Sequence, residues 1–76
     1  MSAKLPLLSS REVCTALEKV GFQMVPGRGK GSHVFLHRAD PPAGITVPQT
    51  NEVKRGTLRA VIRQAGLSVD EFLNLL

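Results

Sequence analysis

A single cysteine, no tryptophan, no tyrosine and only three phenylalanines stand among the 76 residues. With Cys14 alone, neither an internal disulfide nor a cysteine-rich zinc site can form, which suits a reducing cytoplasm. No stretch approaches the roughly 20 apolar residues of a membrane span, and Met1 to Pro6 lacks the apolar centre of a signal peptide. The expectation is therefore a soluble, cytoplasmic protein. Internal repeats and low-complexity tracts are missing as well, so one domain over residues 1–76 is expected. At this size a single core folds but encloses no deep pocket. A polymer or a protein lying across the surface is a better partner than a small molecule.

Acid is scarce too. Six Asp+Glu stand against ten Lys+Arg, a net charge of +4 and a pI near 10.0. Nucleic acid leads the partner classes for such a balance, with an anionic membrane surface second. The bland reading is a basic domain whose charge only keeps it in solution.

Ser9 and Glu12 have capping-box spacing, and Val13, Ala16, Leu17 and Val20 form one apolar stripe. With Gly21 as the stop, this predicts a helix over about residues 10–20. Phe22 to Val25 reads as a short strand, and Pro26-Gly27-Arg28-Gly29-Lys30-Gly31 as a cationic loop. Ser32 to Arg38 resumes as a strand, with Val34 and Leu36 on one face and His33, Phe35 and His37 on the other. Residues 39–44 read as a turn, 45–47 as a third strand halted by Pro48, and 49–55 as a polar loop. Leu58, Val61, Ile62 and Ala65 predict a second amphipathic helix ended by Gly66, and Ser68 with Glu71 opens a short terminal one. The order α-β-β-β-α predicts an α+β fold, a three-stranded antiparallel sheet with its helices on one face. The other face is left bare, and its central strand carries His33, Phe35 and His37.

Lys30-Gly31-Ser32-His33 is the most informative stretch. Glycines let a backbone approach closely, Arg28 and Lys30 attract phosphate, and the imidazole moves a proton near neutral pH. Those are the ingredients for cutting RNA without a metal: the 2′-hydroxyl loses its proton and attacks the adjacent phosphate, while a cation steadies the charge on the phosphoryl oxygens. A hairpin turn with an ordinary edge histidine is the bland alternative. Neither a Walker-type phosphate loop nor a Gly-x-Ser-x-Gly elbow is present. Four strand residues span about 13 Å, too far for His33 and His37 to serve one phosphate or one zinc; His37 reads as a substrate contact or a solvated residue. Phe35 has three open readings: a platform for an unpaired base, the centre of a protein-binding patch, or core with the faces reversed. Arg55, Arg59 and Arg63 form a helical ridge that is either a solvated face or a phosphate track. Cys14 reads as packing.

Gly31-Ser32-His33, Thr46-Val47-Pro48, Gly56-Thr57-Leu58-Arg59, Ala65-Gly66-Leu67-Ser68 and Glu71-Phe72, in that order and at these gaps, resemble the HicA toxins. The likeness runs from about Ser9 to the C-terminus. It implies a double-stranded-RNA-binding-like fold, messenger-RNA cleavage by a metal-independent endoribonuclease, no cofactor, and a HicB-like antitoxin as partner. The family's catalytic histidine falls on His33; Arg28, Lys30, Ser32, Phe35 and His37 are the candidate RNA contacts that the residues themselves suggest around it. Family members often carry a second histidine just after the Val-Pro pair, where this chain has Gln49 and Thr50. A non-catalytic RNA-binding module using the same face is the alternative, and a surface used only to dock another protein is a third reading.

Overall fold

The computed structural model describes residues 5–26 and 31–76. The first helix, α1 (Ser10–Glu18), starts where the sequence places it. The Glu12 amide donates to Ser9 Oγ at 3.2 Å, and the Ser9 amide donates to Glu12 Oε1 at 2.9 Å. That reciprocal pair satisfies two of the donors a helix start leaves open. α1 buries Val13, Cys14, Ala16 and Leu17. The chain leaves it through Gly21 at φ +98°, a value only glycine adopts without strain.

Three strands follow: β1 (Gln23–Met24), β2 (His33–Ala39) and β3 (Pro42–Pro48). They form one antiparallel sheet in the order β1-β2-β3. β2 and β3 close on Ala39 opposite Pro42, so the hairpin turn is only Asp40 and Pro41, joined by a cis peptide. The broad turn expected over residues 39–44 is thus too long, and β3 starts three residues before Ile45. Two prolines there suggest a loop, but Pro42 is the first residue of an edge strand, a place where a missing amide costs nothing.

α2 (Arg55–Gln64) buries Leu58, Val61 and Ile62 and is stopped at Gly66, φ +76°. α3 (Val69–Leu73) repeats the capping box through Ser68 and Glu71 and seats Phe72 in the core. The core joins the helix stripes to Leu36, Ile45 and Val47, which alternate along β2 and β3 and so share one face. Leu5, Leu8 and Val53 belong to it too, although no periodicity marks them. The Val53 amide donates to the Leu8 carbonyl at 2.7 Å and the Ser10 amide to Thr50 at 2.9 Å, which sews the chain's first described segment onto the loop before α2. All helices lie on one side of the sheet. This is an α+β arrangement in the order α-β-β-β-α, consistent with a double-stranded-RNA-binding-like fold.

Candidate nucleic-acid interface

Strand alternation puts His33, Phe35 and His37 on the side of β2 away from the helices, because Leu36 between them is fully buried. The two imidazoles are exposed and Phe35 is half-buried. The reversed-face reading of Phe35 is therefore excluded. Its ring lies over Gly44, where a Cβ would come within 2.9 Å of Cζ and 3.3 Å of Cε1. Gly44 pairs with His37 and Phe35 with Thr46, so the ring leans diagonally across the pair into space only glycine leaves free. Gln23 flanks His37 on the other side.

His33 begins β2, opposite Pro48 at the end of β3. Immediately beyond, the Gln49 amide donates to the Ser32 carbonyl. Ser32, His33 and Gln49 are all exposed, so position 49 lies on the rung next to the imidazole. In the sequence alone, Gln49 stands out only as a departure from the pattern of the HicA likeness. Closing the hairpin at Asp40–Pro41 would have shown that it neighbours His33. His37 lies four residues along the strand, about 13 Å away, and the sheet keeps the two imidazoles apart. Arg28 and Lys30 lie outside the described residues.

Next to His33 but on the helix side of the sheet, an open cleft of about 340 Å³ runs between α1 and the β1–β2 edge. Its walls include Thr15 and Glu18 of α1, Met24, Val34 and Gln49. Cys14 touches its floor and is 6% exposed. Burial first, and the Glu18 carboxylate second, push the thiol above its ordinary range. A thiol held protonated is a poor nucleophile, so Cys14 is packing.

The arginine ridge lies on α2, in the helix layer, with Arg55, Arg59 and Arg63 exposed. Arg55 Nε donates to the Leu5 carbonyl at 2.8 Å, so the first of the three holds the amino-terminal segment in place. The sheet keeps the other two apart from the bare face that carries His33. Among the described residues no group of three His, Cys, Asp or Glu side chains comes together as a metal site. Nor, among them, is any helix long and apolar enough to cross a membrane.

Compared with known proteins, the chain has no match among curated sequences. A family model does match, the HicA toxin of bacterial toxin-antitoxin systems, over residues 10–67. The matched span starts at α1, runs through the whole sheet and α2, and ends at Leu67, taking in His33 and Gln49. Three quarters of the chain, including the bare face and the residues around it, carry that pattern, and the chain belongs to the HicA toxin family.

Proposed function

We propose that this toxin acts as an endoribonuclease on messenger RNA, with His33 as the proton-transferring group. The observation that carries the reading is an exposed imidazole at the open end of the central strand, on the face the helices leave bare. An imidazole so placed is open to a substrate lying along that face. It takes the proton of a ribose 2′-hydroxyl; O2′ then bonds to phosphorus as the P–O5′ bond breaks, leaving a 2′,3′-cyclic phosphate. The departing 5′-oxygen receives a proton, from the imidazolium or from water. Arg28 and Lys30, a few residues before His33 in the chain, hold the phosphate and offset its developing charge. Ser32 orients the imidazole or the substrate, while Phe35 and His37 contact the RNA along the face. The step calls on no metal or other cofactor.

A toxin of a toxin–antitoxin system has an antitoxin as its partner. Here we propose a HicB-like protein that covers His33 and Phe35, matching acidic groups to the basic chain. The whole arrangement fits a single domain acting in the cytoplasm.

His33→Ala tests the reading. The side chain is exposed, so the variant is expected to fold as wild type by circular dichroism. It should lose toxicity and lose cleavage of labelled RNA in EDTA by at least about 10²-fold, the usual share of a general acid–base group. Equal toxicity at equal expression would overturn the assignment. Salt-sensitive RNA binding without cleavage by the wild type would instead establish the non-catalytic module.

A further inference from the structure

The cleft beside His33 has features that the reaction itself does not use. At about 340 Å³ it falls within the range of sites that hold small ligands, about 300–1,000 Å³. Val34 and Met24 form an apolar wall, and Met24 is 52% exposed although it sits on the helix side of the sheet with Leu36. Facing them, Thr15, Glu18 and Gln49 present a hydroxyl, a carboxylate and an amide. Among the described residues those three side chains make no hydrogen bond to another described residue, so their polar atoms are available to a ligand. The position matters as much as the chemistry. Val34 follows His33 directly, with its Cα about 3.8 Å away, and Gln49 is bonded through its amide to Ser32 on the other side of His33. Among the described residues, β1 pairs with β2 at Leu36 and His37, with one more bond from the Val25 amide to the Phe35 carbonyl.

We propose that the cleft is a nucleobase subsite, which takes one unpaired base flanking the phosphate presented to His33 and so sets a sequence preference. This rests on the RNA-cleaving reading for its biological meaning. An apolar wall opposite a few polar groups suits a flat ring with a hydrogen-bonding edge. An ionised carboxylate only accepts hydrogen bonds. Glu18 therefore favours the exocyclic amines of adenine, cytosine and guanine over uracil, whose one base-edge donor, N3–H, lies between two carbonyl oxygens that a carboxylate repels. Gln49 donates and accepts, completing the edge. Arg11, also on the cleft's rim, attracts the backbone that enters with the base.

The test has a binding arm and a cleavage arm, so that it separates this inference from the reading beneath it. Amide chemical shifts of the ¹⁵N-labelled protein are followed during titration with AMP, CMP, GMP, UMP and, as a baseless control, ribose 5-phosphate. The amides of Thr15, Glu18, Val34 and Gln49 are expected to move with the amine-bearing nucleotides, less with UMP, and not with ribose 5-phosphate. Thr15→Trp, a plug on an exposed helical position, should abolish those shifts with helix content unchanged. Glu18→Gln, which keeps the shape and adds a donor, should remove the discrimination against UMP. In RNA with one randomised position, wild type should cut amine-bearing bases about tenfold better than uridine beside the scissile bond, and Glu18→Gln should flatten that profile. Equal shifts from ribose 5-phosphate, or no shift in the cleft, would sink the subsite. So would an unchanged cleavage profile in both variants, even though the RNA is cut. Base-dependent shifts from a wild-type protein that leaves RNA intact would sink the cleavage reading and leave the base site standing.

Discussion

Arg38 joins three parts of the fold that are far apart in the chain. It shares the core side of β2 with Leu36, and its guanidinium carbon lies 4.6 Å from the centre of the Phe22 ring. Nε donates to the Pro41 carbonyl at 2.9 Å, closing the β2–β3 turn. Nη2 reaches the Ala65 carbonyl at the end of α2 over a long 3.5 Å. The stem runs past Gly21, where a Cβ would meet Arg38 Cδ at 3.4 Å. A lysine has neither the fork for two carbonyls nor a flat face for the ring. Arg38→Ala is expected to cost about 1–2 kcal/mol, from one charged hydrogen bond and the ring contact, discounted for partial exposure. Arg38→Lys should recover less than half. Urea unfolding reads both as a lower midpoint at unchanged slope, and a midpoint within error of wild type would show that the clamp is idle. None of this was legible in the sequence, because Phe22, Pro41 and Ala65 become neighbours only once the fold exists. His33 was legible, because its outward direction follows from the two-residue period of β2 alone.

At the scale of elements, local signals carried over and non-local ones did not. Both capping boxes formed as spaced, since Ser9–Glu12 and Ser68–Glu71 each complete a bond pattern within one turn. The start of β3 was misjudged because Pro41-Pro42 signals a loop locally and only pairing with Ala39 makes it a strand. Leu5, Leu8 and Val53 were overlooked because isolated apolar residues have no period to reveal them. α2 differs from the other helices in having no side-chain cap: Lys54 occupies the cap position and Arg55 the first turn. Both cations sit at the positive end of the helix dipole. Lys54 already has the extended backbone of a cap, φ −61° and ψ 144°. Lys54→Asp is therefore expected to stabilise the protein by about 1 kcal/mol, combining an N-cap bond with a favourable dipole contact. High salt should remove the dipole part and leave the cap part. A loss of stability in urea would show that Lys54 makes a contact worth more than a cap.

Across the whole molecule, the ten Lys+Arg do different jobs, and the net charge of +4 hides this. Lys19, Arg38 and Arg55 donate to the carbonyls of Leu75, Pro41 and Leu5, so their side chains are already committed to the fold. Arg59 and Arg63 are exposed on α2 in the helix layer, with the sheet between them and the bare face. Arg28 and Lys30 precede His33 by a few residues and belong to its neighbourhood by chain connectivity alone. The sequence could count these charges but not sort them, just as it could not assemble a cleft from α1, β1, β2 and the residue after β3. Sorting them yields a measurable difference, because each neutralised phosphate of a single strand contributes about 0.7 to the slope of log K against log salt. Replacing Arg28 and Lys30 together by alanine should flatten the slope for single-stranded RNA by about 1.4. Replacing Arg59 and Arg63 together should leave it within error, although both pairs remove the same charge. Equal flattening by the two double variants would mean that RNA wraps onto the helix layer, and the interface would then have to be drawn across α2 as well as the sheet.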